Sequence, residues 1–392
     1  MPFVDLFLKH TKNYESPTSF WLWSSYSVIA SVLRDSCYRK LGQFRLFPNI
    51  YVLLLAPSAV DRKGFPVVLC EKLVKSINNT KLISGRSSIQ GILDELALGE
   101  TDKLTGKIIQ GGSAICASEE LSAGIVNDPE AIKILTDIYD YKEEYKSILR
   151  SGRFQIKNIC FNMISASNEE LLKDFYTSAA LYGGLLGRTF LIRPNEFRPS
   201  NSLFDLRDGS ESYFEMVEEL RKISNLHGEF EITPEAQRLY TDWYVPFREE
   251  SHVKSDKSGI LGRIHTSIIK LAMILCVDRT CALEIQSEHI KDAIAQCIDL
   301  IPNYQSLVMN QGKASDAEMI SQLIESIWKS KTKSITKQDF LSKFFHVYDL
   351  ETVDRGVQKC REANLINESL NGSSIVWTLT DKCISIFNLK DK

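Results

Sequence analysis

Tyr51-Val52-Leu53-Leu54-Leu55-Ala56-Pro57-Ser58-Ala59-Val60-Asp61-Arg62-Lys63-Gly64 opens with five consecutive apolar residues and closes on a lysine. The apolar run is too short for a helix and lacks the alternation of a half-exposed strand. It predicts a strand buried on both faces, of the kind found inside parallel sheets. A loop and then a helix follow, roughly residues 65–77, with Pro66 suited to the first helical turn. A strand, a tight loop and a lysine at a helix start make a place for phosphate. Backbone N–H groups and the helix dipole hold the anionic oxygens, and the lysine adds a point charge. The candidate contacts are Pro57, Ser58, Ala59, Arg62, Lys63 and Gly64. The loop departs from the G-x-x-x-x-G-K-[ST] pattern. Ala56 and Ala59 stand where glycines are expected, the loop is one residue longer if Ala56 starts it, and Gly64 replaces the hydroxyl that binds Mg2+. An ordinary strand-to-helix turn is the competing reading.

Working outward, residues 113–117, 159–165 and 189–192 read as further buried strands with helical segments between them. Alternating strands and helices predict an α/β fold with a parallel sheet covered on both faces. Residues 1–48 read as an N-terminal helical segment in which Pro17 opens the second helix and Trp21, Trp23 and Tyr26 are core. The sheet-bearing core occupies 49–209 and ends in a linker, 195–209, rich in Asn, Ser, Pro and Asp. Residues 210–312 read as all-helical and end in a polar stretch at 310–316. Residues 313–392 read as three helices and then short strands at Leu365-Ile366 and Val376-Trp377, with Asn371-Gly372 between them. Asn-Gly between apolar runs signals a hairpin, so the pattern is a winged helix-turn-helix.

Composition sets the bounds. A chain of 392 residues with 44% hydrophobic content supports two or three packed domains. The net charge of −3 gives no global basic footprint, so nucleic-acid contact has to come from local patches. Nine scattered cysteines without a CxxC pair point to reduced, buried thiols and to no metal cluster. There is no signal-peptide pattern, and no uncharged apolar run approaches the roughly 18 residues of a membrane span. The expectation is a cytoplasmic protein with no membrane partner.

Four further positions carry chemistry. The strand at 113–117 runs into Ser118-Glu119-Glu120. Two carboxylates at a strand end suit an ATPase, one holding Mg2+ and the other polarising the attacking water. They also suit a helix N-terminus capped by Ser118. Asn168 ends the third strand, where it would position water, or cap a helix. Arg188 follows Gly183-Gly184 and precedes the last strand; it reads as a finger on a neighbouring subunit's nucleotide or as a plain salt bridge. Arg263 lies near a helix start, where a positive charge opposes the dipole, and that hints at an anionic partner.

In order, the Lys63 loop, Glu119-Glu120, Asn168, Arg188 and Arg263 resemble the AAA+ series of Walker A, Walker B, sensor one, arginine finger and sensor two. Phe47-Pro48-Asn49-Ile50-Tyr51-Val52, Tyr139-Asp140, Gly183-Gly184 with Arg188, and Ile269-Lys270-Leu271-Ala272 are similar to helicase-like ATPases of phages and mobile elements. The helical lid and winged helix are similar to minichromosome-maintenance helicases. The resemblance implies a P-loop NTPase core, ATP and Mg2+ as cofactors, catalytic roles for those acids, Asn168 and arginines, and a homo-oligomeric ring, such as a hexamer, acting on DNA in replication. It leaves open a helicase loader or DNA-binding scaffold with little turnover. On the expected recognition helix, Arg355 and Lys359 share a face four residues apart, with Arg361 near, and are the candidate DNA contacts.

Overall fold

The computed structural model describes residues 1–57, 61–85, 87–98, 100–101, 108–109, 112–120, 128–140, 142, 144–149, 152–168, 184–194, 196, 198, 210–254, 256, 259–330, 332–344, 348, 350–372 and 374–387. In chain order the elements are α1 (Phe3–His10), α2 (Thr18–Leu33), β1 (Cys37–Leu41), β2 (Phe44–Leu46), β3 (Tyr51–Leu55), α3 (Gly64–Ile77), β4 (Lys81–Ser84), α4 (Ile89–Ala97), β5 (Glu100–Thr101), β6 (Ile108–Ile109), β7 (Ser113–Ser118), α5 (Pro129–Tyr139), β8 (Glu144–Leu149), β9 (Gly152–Lys157), β10 (Cys160–Ser167) and β11 (Thr189–Ile192). There follow α6 (Ser210–Ser224), β12 (Gly228–Glu229), β13 (Glu231–Ile232), α7 (Pro234–Glu249), α8 (Ser251–Lys254), α9 (Ile260–Thr280), β14 (Glu284–Ile285), α10 (Ser287–Asp299), α11 (Ile301–Lys329), β15 (Ser334–Thr336), α12 (Lys337–Phe344), α13 (Leu350–Glu362), β16 (Ile366–Asn371), β17 (Ser374–Leu379) and α14 (Asp381–Ile386).

The central sheet has five strands in the order β11-β3-β10-β7-β4, and every pairing is parallel. Side chains alternate across a strand, so one apolar run feeds two cores. Val52, Leu54, Ile115, Ala117, Ile164 and Ala166 point into one cluster, and Tyr51, Ala114, Cys116, Phe161 and Met163 into another. The second face is covered by α4 and α5. The first is covered by α2 and α3, with α1, α6 and α9 packed beyond them. Sandwiched in this way, α2 is buried at every residue from Trp23 to Leu33. Two of its buried serines cost little because their hydroxyls bond within the helix, Ser27 to the Trp23 carbonyl at 3.2 Å and Ser31 to the Ser27 carbonyl at 2.6 Å.

The chain divides into two units, Met1–Tyr304 and Gln305–Lys392, each with its own core. Residues of the expected segments 1–48, 49–209 and 210–312 all contribute to one cluster of the first unit. The second unit runs helix, strand, helix, helix, hairpin, with its three strands in the order β15-β17-β16. The hairpin expected at Asn371-Gly372 is present, and Gly372 supplies the positive φ of +64°.

Several expectations change. Residues 1–48 are not all helical: β1 and β2 form a hairpin whose turn uses Gly42 at φ +61°. The segment 210–307 contains β12, β13 and β14, two residues each and too short to show alternation. The polar stretch 310–316 lies inside α11, because a lone Gly312 without proline does not end a helix. Helices are not the only elements between the sheet strands, since β8 and β9 pair as a hairpin. Edge strand β4 is a fifth strand; of its four residues only Ile83 is fully buried, so it leaves a weak apolar signal. Among the described residues, α9 alone is long and apolar enough to cross a membrane by length and composition, but Lys270 interrupts it and 67% of its apolar window is buried inside the protein.

Candidate functional site

By chain order the sheet reads fifth, first, fourth, third, second strand. After β3 the chain crosses toward β4; after β10 it crosses β3 to reach β11. Connections that leave adjacent strands in opposite directions open a crevice at the carboxyl ends of those strands, the usual ligand position in open α/β sheets. The crevice here lies between the ends of β3 and β10, where the Ala56 N–H donates to the Ser167 carbonyl at 3.2 Å.

Four expected residues gather at this carboxyl edge: Lys63, Gly64, Glu119 and Glu120. Lys63 immediately precedes α3 and donates from Nζ to the Ala56 carbonyl at 3.0 Å. Burial lowers its pKa, while Glu120 and Asp61 act to raise it. The Glu119 carboxylate stands against Gly64, and a Cβ added there would lie 3.3 Å from Glu119 Cδ and closer still to Oε2. The acid thus fills the space that a side chain at 64 would take. Ser118 Oγ donates to the Glu120 carbonyl at 2.6 Å and shapes the turn that delivers both acids. Ser165 Oγ donates to the Ser118 carbonyl at 3.0 Å and ties β10 to this turn. Asn168 follows β10 at the same edge, half-buried. Pro57 leaves β3 and is exposed; Ser58 and Ala59 lie outside the described residues. Arg62 turns its side chain to Glu15, with Nε 3.1 Å from Oε2.

Two acids here escape sequence reasoning. Asp61 is buried, and burial raises its pKa against the pull of Lys63. Glu71 lies seven residues after Gly64, two turns along the same face of α3. Burial raises its pKa first; Lys75 opposes this and Glu119 adds to it. The seven-residue spacing was the available signal. Among the described residues no group of three or more metal-ligating side chains converges. Mg2+ nevertheless needs only one or two carboxylates beside phosphate and water oxygens. Glu119, delivered to the helix start by the space at Gly64, fits that requirement.

Arg188 and Arg263 are not at this edge. Arg188 directly precedes Thr189, which pairs with Tyr51 at the start of β3. A strand length of about 15 Å therefore separates it from the Lys63 loop within one chain. Arg188 makes an ion pair with Asp140 at 2.5 Å and donates to the Gly184 carbonyl at 3.0 Å, leaving its side chain 12% exposed. Arg263 donates to the Gly259 carbonyl at 3.0 Å. A Cβ on Gly184 would meet Arg188 Nη1 at 2.9 Å and Arg263 Nη2 at 3.1 Å, so the glycine lets both guanidiniums close in. Burial lowers the Arg263 pKa, and the Arg188 charge lowers it further. Stretches far apart in the sequence meet here. Lys270 Nζ donates to the Asn49 carbonyl at 2.9 Å and to Asn49 Oδ1 at 2.6 Å, and lies 4.1 Å above the Tyr139 ring. Asn49 Nδ2 donates to the Tyr139 carbonyl at 3.0 Å, next to Asp140.

In the second unit the face shared by Arg355 and Lys359 turns toward α11. Both hold Asp316, which is 2% exposed: Arg355 through Nε at 3.0 Å and Nη2 at 2.9 Å, Lys359 through Nζ at 2.5 Å. Arg361 pairs with Glu368 at 3.1 Å, and Glu368 also accepts from Trp377 Nε1 at 3.0 Å. Helical spacing put the cations on one face but could not show that a buried carboxylate waited there. No protein-family model matches this chain, and no curated protein matches it.

Proposed function

We propose that this chain is an ATPase of the AAA+ P-loop type that works as a homo-oligomer, helicase-like, on DNA in the replication of a phage or mobile element. The observation that carries the reading is the meeting of Lys63, Gly64 and Glu119-Glu120 at the carboxyl-edge crevice of a parallel sheet ordered 5-1-4-3-2. Lys63 and the first-turn amides of α3 bind the ATP phosphates. Glu119 holds Mg2+, which when bound offsets phosphate charge. Glu120 accepts a proton from the attacking water, and Asn168 orients that water. Arg188 and Arg263 lie too far from their own loop and act on the nucleotide of a neighbouring copy. Two like charges beside Asp140 leave a surplus of positive charge suited to phosphate.

Titration with ATP tests the site. Lys63→Ala should weaken binding, and Glu120→Gln should keep binding and slow hydrolysis. Equal ATP affinity in wild type and Lys63→Ala overturns the assignment. A scaffold that binds ATP with little turnover is favoured by Gly64, which lacks the metal-binding hydroxyl; it predicts binding without Glu120-dependent hydrolysis. DNA contact is supported by the helix, strand, helix, helix, hairpin order of the second unit. Its expected cations are engaged in ion pairs, and of the three Arg361 is the one held only by a surface pair.

A further inference from the structure

The link between α1 and α2 lies across the loop that carries Lys63. Glu15 Oε2 receives Arg62 Nε at 3.1 Å, and Ser16 Oγ donates to the Arg62 carbonyl at 3.0 Å. Tyr14 meets Phe65 edge-on, with 6.1 Å between ring centroids. The link is itself anchored. Trp21 Nε1 donates to the Ser16 carbonyl at 3.0 Å, and Arg198 donates to the Thr11 carbonyl at 2.7 Å and to Thr18 Oγ1 at 3.1 Å. Between these contacts Arg62 has φ +44°. A residue with a Cβ enters the left-handed region at a cost and stays there only when its surroundings impose it. Here one segment engages both the side chain and the carbonyl of that residue, and contacts to residues 62 and 65 bracket Lys63 and Gly64.

We infer that Glu15 and Ser16 are positioning residues: they hold Arg62 in its left-handed conformation, and so aim Lys63 and the Gly64 amide at the carboxyl-edge crevice. The inference rests on the nucleotide reading of that crevice. A glycine at 62 would reach the same φ unaided, so the device predicts a rescue. Binding of a fluorescent ADP analogue to the full chain should weaken about tenfold in Glu15→Ala/Ser16→Ala. Amide hydrogen exchange over 61–65 in the nucleotide-free protein should quicken in the same variant. Adding Arg62→Gly to it should recover most of the affinity and slow the exchange again. A strap variant that binds and exchanges like wild type overturns the inference. So does an affinity loss that Arg62→Gly fails to recover, which would mark the contacts as general packing. Failure of the wild-type chain to bind the analogue at all overturns the nucleotide reading and the purpose of the strap with it.

Discussion

Gly64→Ala separates the proposed chemistry from folding. Gly64 begins α3 without a positive φ, so alanine is accepted there at least as well as glycine. The new methyl group, however, would sit 3.3 Å from Glu119 Cδ and inside van der Waals contact of Oε2. The atom in the way ends a flexible, exposed side chain, so the fold yields easily and the carboxylate retreats by about 1 Å. A misplacement of that size in catalytic machinery lowers a rate on the order of a hundredfold. The expected signature is therefore opposed: Tm unchanged or raised, and kcat for ATP hydrolysis down about a hundredfold, with Mg2+ requirement shifted to higher concentration. Thermal unfolding and a steady-state phosphate-release assay over a Mg2+ series measure the two halves. A Gly64→Ala protein with wild-type kcat at every Mg2+ concentration would show that the approach of Glu119 to the helix start has no part in turnover.

Mixing Arg188→Ala with Glu120→Gln subunits should restore part of the activity that each lacks alone, because mixed interfaces contain one intact site; a monomeric chain with full activity would refute action between copies. Lys270 is fully buried and its pKa is lowered to about 7, chiefly by burial, with Cys160 and Asp140 acting to raise it and Arg188 to lower it. The unfolded lysine titrates near 10.5, so above about pH 7 the unfolded state binds more protons and stability rises with pH. Tm of wild type should climb between about pH 7 and 8.5, and Lys270→Met should flatten that climb; an identical slope in both proteins counts against it. Arg355→Ala/Lys359→Ala leaves Asp316 buried without a cation and should cost about 2–4 kcal/mol of stability, since the two cations are themselves half-exposed. Urea unfolding checks this, and unchanged stability with a DNA salt slope reduced by about two would return both residues to a DNA face.

Residues of one continuous stretch were legible because local physics acts on them alone. The run Tyr51–Leu55 read as a doubly buried strand, residues 65–77 as a helix behind a lysine, and Asn371-Gly372 as a tight hairpin. All four main-sheet strands read from the sequence lie within two residues of their expected limits for the same reason, while edge strand β4, four residues long with only Ile83 buried, left too little apolar pattern. Tertiary structure decided which strand ends become neighbours. It brought Glu119 to Gly64 across two strands, placed Glu71 and Asp61 beside them, and set Arg188 and Arg263 at the far edge of the sheet. It also gave Arg355 and Lys359 to Asp316. Periodicity tells which residues share a face, and composition tells that a face is charged. Which charge lies opposite depends on strand order and helix packing, which are set by burial summed over the whole unit rather than by any local stretch.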